Sequence, residues 1–355
     1  MSKPRILIAA GGTGGHVFPA QACGEELLQK NVEVLFAGAG LKTNRFFQTG
    51  AFPFQETSEA KRSVLAVMKG IFKSFSILRK FRPDAVVGFG SFHSFPLLVA
   101  ASVLRIPIVL FESNSVPGKV NRWFSRHSLL SCVQFAEAAR RLNGKTEEVR
   151  IPLWRKGAAL SSPEEARLHY SLDPDRMTLL VFGGSQGALA INRCFCASAA
   201  SLDIGPFQVL HFAGKKDVLD KIQKRYHHLN IRACVKEFED KMPIALQAAS
   251  LAICRAGAAT LAELIAFEVP SVLIPFPHAT EDHQTGNGEF MQAIGGALCL
   301  KEADLTPASL TQAIEALALG LKEKKEAIIK FKNHEQKQEL SSLIYDTICK
   351  KITTS

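Results

Sequence analysis

Residues 5–19 decide the fold: Arg5-Ile6-Leu7-Ile8-Ala9-Ala10-Gly11-Gly12-Thr13-Gly14-Gly15-His16-Val17-Phe18-Pro19. An apolar run of strand length enters a turn with four glycines in five residues, and a helical pattern follows through Leu27 and Leu28. Strand, glycine turn and helix in that order open a parallel sheet covered by helices. Short apolar runs at 32–37, 85–88, 106–111 and 129–133 read as further buried strands of the same sheet.

The pattern starts again 172 residues later, where residues 179–182 enter Gly183-Gly184-Ser185-Gln186-Gly187-Ala188. Ala85-Val86-Val87-Gly88 has its counterpart in Leu251-Ala252-Ile253-Cys254, and Pro107-Ile108-Val109-Leu110 in Pro270-Ser271-Val272-Leu273. A repeat of domain size predicts an α/β protein with two Rossmann-like, doubly wound parallel-sheet domains rather than a solenoid. Pro152, Gly157 and Ser161-Ser162-Pro163 punctuate the junction. The expected division is an N-terminal domain at 1–155 and a second domain at 156–335. Residues 336–355 are expected to form a helix packing back on the first domain. Such domains bind ligands at the carboxyl ends of their strands. Two crevices facing each other would form one cleft for a donor and an acceptor.

Composition narrows the function. The chain has 355 residues, 47% of them hydrophobic and 21% charged, enough apolar material for two cores. Its longest clean apolar stretch, 95–104, stops at Arg105, short of the ~18–20 residues that span a bilayer. Only 6–10 are apolar before Gly11, against the ~7–15 residues of an export signal. The eight cysteines show no zinc spacing, and their scatter through apolar segments reads as buried thiols of a reducing compartment. Of the net charge of +10, all the excess lies in residues 1–155, which hold 21 Lys and Arg against 10 Asp and Glu. The remainder holds 22 against 23. A basic N-terminal half calls for an anionic partner. With 3 Tyr and 2 Trp beside 24 Phe, the stacking residues that usually hold nucleic acid are scarce, so the expected partner is an anionic membrane surface or a phosphorylated ligand.

The loop at 11–16 lacks the Gly-Lys-Ser/Thr of a Walker A motif, and Val17 stands where a dinucleotide fingerprint has its third glycine. What remains is a glycine turn whose backbone N–H groups can receive an anion at a helix start. His16, at the end of that loop, is a candidate general base; the competing reading is a packing histidine. The loop at 183–188 offers the same anion chemistry, with the hydroxyl of Ser185 added. Arg255-Ala256-Gly257-Ala258-Ala259-Thr260 opens a helix that carries Glu263, whose carboxylate could accept both hydroxyls of a ribose. Residues 275–287 are dense in amides and imidazoles suited to sugar hydroxyls. His278, Asp282 and His283 lack a ligand spacing that supports a metal. Between Lys61 and Arg82 there are seven cations and no acid. Helical spacing there puts Val64, Leu65, Met68, Ile71, Phe72 and Phe75 on one side, and Arg62, Lys69, Lys73 and Lys80 on another. Contact with an anionic membrane is expected through Lys69, Ile71, Phe72, Lys73 and Phe75.

Four motifs in order, residues 11–19, Gly183 to Ala188, Cys254-Arg255-Ala256-Gly257-Ala258 and His283-Gln284-Thr285-Gly286-Asn287, make the chain resemble the MurG family over essentially its whole length. These are peptidoglycan N-acetylglucosaminyltransferases with the GT-B fold. The resemblance implies inverting transfer of GlcNAc from UDP-GlcNAc to the C4 hydroxyl of the MurNAc unit of lipid I, without a metal or other cofactor. It places the enzyme peripherally at the cytoplasmic face of the inner membrane. It further implies that Thr13, Gly14 and Gly15 line the sugar-diphosphate site, that His16 is the base, and that Asn114 contacts donor sugar or acceptor. Arg155 and Ser185 would bind the donor, Phe238 and Glu239 would flank the uracil, and Ala258, Ala259 and Thr260 would meet the phosphates. Glu263 would hold the ribose, and Gln284 with Asn287 the GlcNAc hydroxyls. The chain departs from the family pattern at Phe111-Glu112-Ser113-Asn114, where His-Glu-Gln-Asn is usual, and at Gly90-Ser91-Phe92, where Gly-Gly-Tyr is usual. A UDP-GlcNAc 2-epimerase, built on the same twin folds, is the alternative enzyme, and a non-catalytic lipid-diphosphate binder the alternative outside enzymes.

Overall fold

The computed structural model describes residues 3–57, 63–153, 160, 162–184, 187–279, 282–334 and 337–349. The chain divides into two compact units, Met1–Trp154 with Lys337–Ser355, and Arg155–Gln336.

The first unit is built on β1 (Arg5–Ala9), β2 (Glu33–Gly38), β3 (Phe54–Glu56), β4 (Ala85–Gly88), β5 (Ile108–Glu112), β6 (Leu130–Val133) and β7 (Thr146–Arg150). The second holds β8 (Met177–Phe182), β9 (Phe207–Phe212), β10 (Ala233–Lys236), β11 (Leu251–Cys254), β12 (Ser271–Leu273) and β13 (Ala297–Cys299). A short β14 (Gln338–Glu339) returns to the first sheet and pairs with β7. The sheet orders are β3-β2-β1-β4-β5-β6-β7-β14 and β10-β9-β8-β11-β12-β13, and every pairing is parallel. Each sheet therefore runs outward in both directions from its unit's first strand, the doubly wound Rossmann order. The repeat reaches single hydrogen bonds. Val86 N donates to Pro107 O at 2.9 Å, and its counterpart Ala252 N donates to Pro270 O at 2.9 Å.

Central strands are apolar on both faces because helices cover both. Ile6, Leu7, Ile8 and Ala9 are fully buried, as are Leu179, Leu180 and Val181. Two strands are shorter than their apolar runs suggest. Residues 106–111 become a strand only at Ile108, because Ile106 N closes the preceding helix on Ala101 O and Arg105 turns at φ +56°. Leu129 likewise precedes β6, half exposed, with its N–H on Ile108 O. The polar segment Thr146–Arg150, which no apolar run marks, is a strand with only Val149 buried. It is held between β6 and β14, and Lys337 Nζ reaches Gln134 O at 2.7 Å beside it. The helix Leu340–Ile344 packs on the helix Gly14–Gln29 and buries Leu340 and Ile344 completely.

The basic helix is Val64–Phe81, started by Ser63, whose hydroxyl accepts from Ala66 N at 3.2 Å. Gly70, Ser74, Ile77 and Leu78 face inward. Ile71 and Phe75 are half-buried, and Phe75 packs against the cluster of Leu97, Leu98, Val86 and Leu110. The exposed apolar residues are Val64 at 80%, Leu65 at 75%, Phe72 at 69% and Met68 at 46%, with Lys69 and Lys73 exposed among them. Lys61 and Arg62 lie outside the described residues.

Candidate functional site

In each unit the strand order reverses between the first strand and its inner neighbour, β1 and β4 or β8 and β11. The loops at the carboxyl ends of these four strands hold most of the expected site residues, where doubly wound folds keep their ligands.

In the first unit the loop after β1 leads into the helix Gly14–Gln29, with Thr13 at its N-cap. No side chain caps this helix and its first turn carries no acid, so the positive end of its dipole is not offset by a side chain of its own first turn. Gly12 sits at φ +87°, a backbone that glycine alone adopts without strain. At Gly15 the space for a side chain is open apart from Thr13 Oγ1 at 3.8 Å. Packing does not demand glycine there. Asn44 Nδ2 pins the turn through Gly12 O at 2.7 Å.

His16 Nδ1 lies 2.9 Å from Phe89 O, at the end of β4. A carbonyl oxygen only accepts, so Nδ1 carries the proton and the lone pair of the neutral ring is on Nε2. Gly90, at φ +67°, lies between His16 and Asn121: a side chain built on it would come within 3.4 Å of His16 Cε1 and of Asn121 Nδ2.

Asn114 belongs to a network centred on Glu112, a carboxylate only 4% exposed. Glu112 Oε1 accepts from Asn114 N at 3.0 Å and Asn114 Nδ2 at 3.1 Å; Oε2 accepts from Gly118 N at 3.0 Å and Asn121 Nδ2 at 2.9 Å. Asn121 Nδ2 also donates to Phe111 O at 3.0 Å. Four donors on one buried carboxylate fix the loop after β5. Asn121, which nothing in the sequence singles out, joins Glu112 in shaping this loop.

In the second unit the helix Ala258–Ala266 also starts uncapped, after Gly257. Ala258, Ala259 and Thr260 thus present first-turn N–H groups behind small side chains. Arg255, 9% exposed, locks the turn by donating to Ile274 O and Pro275 O at 3.1 Å each and by pairing with Glu302. Glu263 stands one turn into the helix. It makes no hydrogen bond or ion pair among the described residues, and desolvation alone raises its carboxyl to about 7. A desolvated carboxyl without a protein partner, one turn into a helix that follows a buried strand, is a candidate ligand group.

Gln284 Oε1 accepts from Phe276 N at 3.0 Å, which orients its Nε2 as the donor end. Asn287 has no exposed surface, and its Nδ2 donates to Ala256 O at 3.0 Å, which ties it to the turn at 254–257. Phe238 is 49% exposed, while the Glu239 carboxylate is buried and taken by Lys236 Nζ at 2.7 Å and Lys241 N at 2.9 Å. Glu239 therefore offers a ligand its backbone, not its side chain. Arg155 and Ser185 lie outside the described residues. Behind the loop at 183–188, buried His211 is held by Tyr226 Oη at 2.7 Å and Asn192 Oδ1 at 3.0 Å, and burial pushes its imidazole down to about 3. It is a neutral packing histidine.

Residues 6–129 match the model of the glycosyltransferase family 28 N-terminal domain, and residues 178–344 match that of the family 28 C-terminal domain. The chain belongs to glycosyltransferase family 28. A family 28 relative from Protochlamydia amoebophila is 41% identical over 98% of this chain and 96% of its own length. It is named UDP-N-acetylglucosamine--N-acetylmuramyl-(pentapeptide) pyrophosphoryl-undecaprenol N-acetylglucosamine transferase. A protein of the same name from Chlamydia pneumoniae is 34% identical over 87% of the chain and 88% of its own. The crystal structure of Acinetobacter baumannii MurG superposes with a TM-score of 0.79 at 26% identity, covering 98% of this chain and 99% of that one. The twin Rossmann-like units are thus those of GT-B glycosyltransferases, and the epimerase alternative finds no support in these comparisons.

The Glu263 carboxyl yields a prediction with a sign. It ionises near pH 7, and the ionised form is the better acceptor for two hydroxyls. Affinity for UDP therefore rises between pH 6 and pH 8 in the native protein and stays flat in Glu263→Gln. Stability of the unliganded protein moves oppositely. The folded group holds its proton above the usual 4.5, so stability falls as pH rises from 4.5 through about 7. Glu263→Gln consequently melts higher than the native protein at pH 8 and equally at pH 4.5. Calorimetric titration and melting curves read both; a variant with native UDP affinity at pH 8 takes Glu263 out of the ligand contact.

Proposed function

We propose that this chain is an inverting N-acetylglucosaminyltransferase that moves GlcNAc from UDP-GlcNAc to the C4 hydroxyl of MurNAc on an undecaprenyl-diphosphate carrier. The observation that carries this reading is the 41% identity, along 98% of the chain, to a relative bearing that activity in its name. The site chemistry agrees with it. His16 Nε2 takes the proton of the acceptor hydroxyl as that oxygen attacks the anomeric carbon of GlcNAc. The bond from that carbon to the diphosphate oxygen breaks, and UDP leaves with the electron pair. The Phe89 carbonyl holds the ring in the tautomer this needs and stabilises the imidazolium that forms. The N–H groups of Ala258, Ala259 and Thr260 meet the charge that develops on the leaving UDP. Glu263 takes the ribose hydroxyls, and Gln284 Nε2 a hydroxyl of GlcNAc. The exposed Thr13 and Gly15 with Gly14 receive the acceptor's diphosphate.

The acceptor's lipid requires a membrane surface, and no helix among the described residues is long and apolar enough to cross one. In this reading the chain docks peripherally on the cytoplasmic face of the inner membrane through the helix Val64–Phe81. Its exposed Val64, Leu65, Met68 and Phe72 enter the headgroup boundary, and Lys69 and Lys73 each add about 1 kcal/mol against anionic lipid.

His16→Ala lowers kcat by about 10²–10⁴-fold and leaves the Kd for UDP unchanged; a native kcat would remove His16 as the base. Replacing both Leu65 and Phe72 by Glu abolishes flotation with phosphatidylglycerol vesicles. It leaves turnover of a short-chain, water-soluble acceptor intact. Undiminished flotation would move the membrane contact elsewhere.

A further inference from the structure

We infer that Glu302, on the short turn after β13, is a positioning residue for the donor sugar, acting through Arg255 on the strand end that orients Gln284. The inference rests on the reading of Gln284 as a ligand of GlcNAc. Arg255, at the carboxyl end of β11, divides its guanidinium between two tasks. Its Nη1 donates to Ile274 O and Pro275 O at 3.1 Å each, and its Nη2 pairs with Glu302. A guanidinium is flat and rigid, so fixing Nη2 decides where Nη1 points. Among the described residues Glu302 is the only acid paired with Arg255, and the arginine is 9% exposed, with little water to take the acid's place. Without Glu302 the cation turns toward solvent and releases both carbonyls.

Those carbonyls stand at the root of the loop that follows β12. The next residue, Phe276, donates its N–H to Gln284 Oε1 at 3.0 Å, and its ring centre lies 5.4 Å from the Arg255 guanidinium. One cation therefore holds the strand end, the aromatic ring and, through Phe276 N, the amide assigned to the sugar. Glu302 is itself anchored. Leu300 N donates to Leu273 O at 2.9 Å, and Asp304 N and Leu305 N close the turn on Lys301 O and Glu302 O at 3.0 and 3.2 Å. The segments meet without slack. A side chain on Gly288 would come within 2.7 Å of Cys299 Sγ and 3.6 Å of both Ala256 Cβ and Pro275 Cγ. A shift at Arg255 is thus passed on rather than absorbed. The turn before the helix Ala258–Ala266 has a second anchor of its own, Asn287 Nδ2 on Ala256 O at 3.0 Å. The donor is divided accordingly: the turn assigned to UDP keeps a tie that does not involve Glu302, while the amide assigned to the sugar depends on it.

Calorimetric titration with UDP and with UDP-GlcNAc separates the two parts without turnover. Glu302→Leu, which removes the acceptor for Nη2, is expected to weaken UDP-GlcNAc about tenfold and to leave UDP within about twofold. Glu302→Gln keeps an acceptor and recovers most of the loss. Arg255→Met weakens UDP-GlcNAc at least as much, and adding Glu302→Leu to it changes nothing further, because the acid acts through the guanidinium. Native UDP-GlcNAc affinity in Glu302→Leu overturns the inference. So does equal weakening of both ligands, which marks a purely structural role, and so do fully additive losses in the double variant. A native protein that binds UDP-GlcNAc but transfers no sugar contradicts the proposed reaction and leaves the role of Glu302 standing. Native UDP-GlcNAc affinity in Gln284→Ala removes the sugar contact and the inference with it.

Discussion

Two helices that begin without a capping side chain set the terms for this molecule. At Gly14–Gln29 and at Ala258–Ala266, a buried strand ends, a glycine turns the chain, and no side chain caps the helix start. An N-cap of Ser, Thr, Asp or Asn normally satisfies a leading backbone N–H group, at a gain of about 1 kcal/mol. Thr13 occupies the N-cap position of the first helix, yet its hydroxyl caps nothing. Both helix starts therefore keep their positive dipole ends open to an anion, and the parallel sheets put them where strand order reverses.

Two carboxyls, buried Glu112 and half-buried Glu263, differ in what surrounds them. Glu112 accepts four hydrogen bonds from its own loop and spends its charge on shaping that loop. Glu263 accepts none among the described residues, and desolvation holds it near the point of neutrality at physiological pH. The same division separates the histidines. His211 is held on both nitrogens inside the core, whereas His16, half-buried at the start of a helix, has its Nδ1 on the Phe89 carbonyl. Position in the sheet alone does not distinguish these residues; their hydrogen-bond partners do.

Much of this was legible in the amino acids. The glycine turns at 11–15 and 183–187 and the strand pairs 85–88 and 251–254 announced twin sheets, because buried parallel strands are written as uninterrupted apolar runs. The polar β7 and the two-residue β14 were not legible, because edge strands need little apolar surface and are held by their neighbours. Among candidate site residues, His16, Glu263 and Gln284 follow from strand–turn–helix position. That the Asn287 amide is turned inward onto Ala256 shows only in the fold. The helix Val64–Phe81 declared its amphipathic character, but not that its inward face is the small-residue stripe of Gly70 and Ser74, which leaves Val64, Leu65 and Phe72 exposed.

The central claim is that one unit's open helix start serves an activated amino sugar and the other's serves a lipid-linked acceptor. Incubation with UDP-[14C]GlcNAc, with and without a short-chain diphospho-MurNAc-pentapeptide acceptor, tests it directly. The account predicts label in the lipid fraction and an equal amount of free UDP, both only when acceptor is present. Consumption of UDP-GlcNAc without acceptor, or UDP release without labelled lipid, would contradict it.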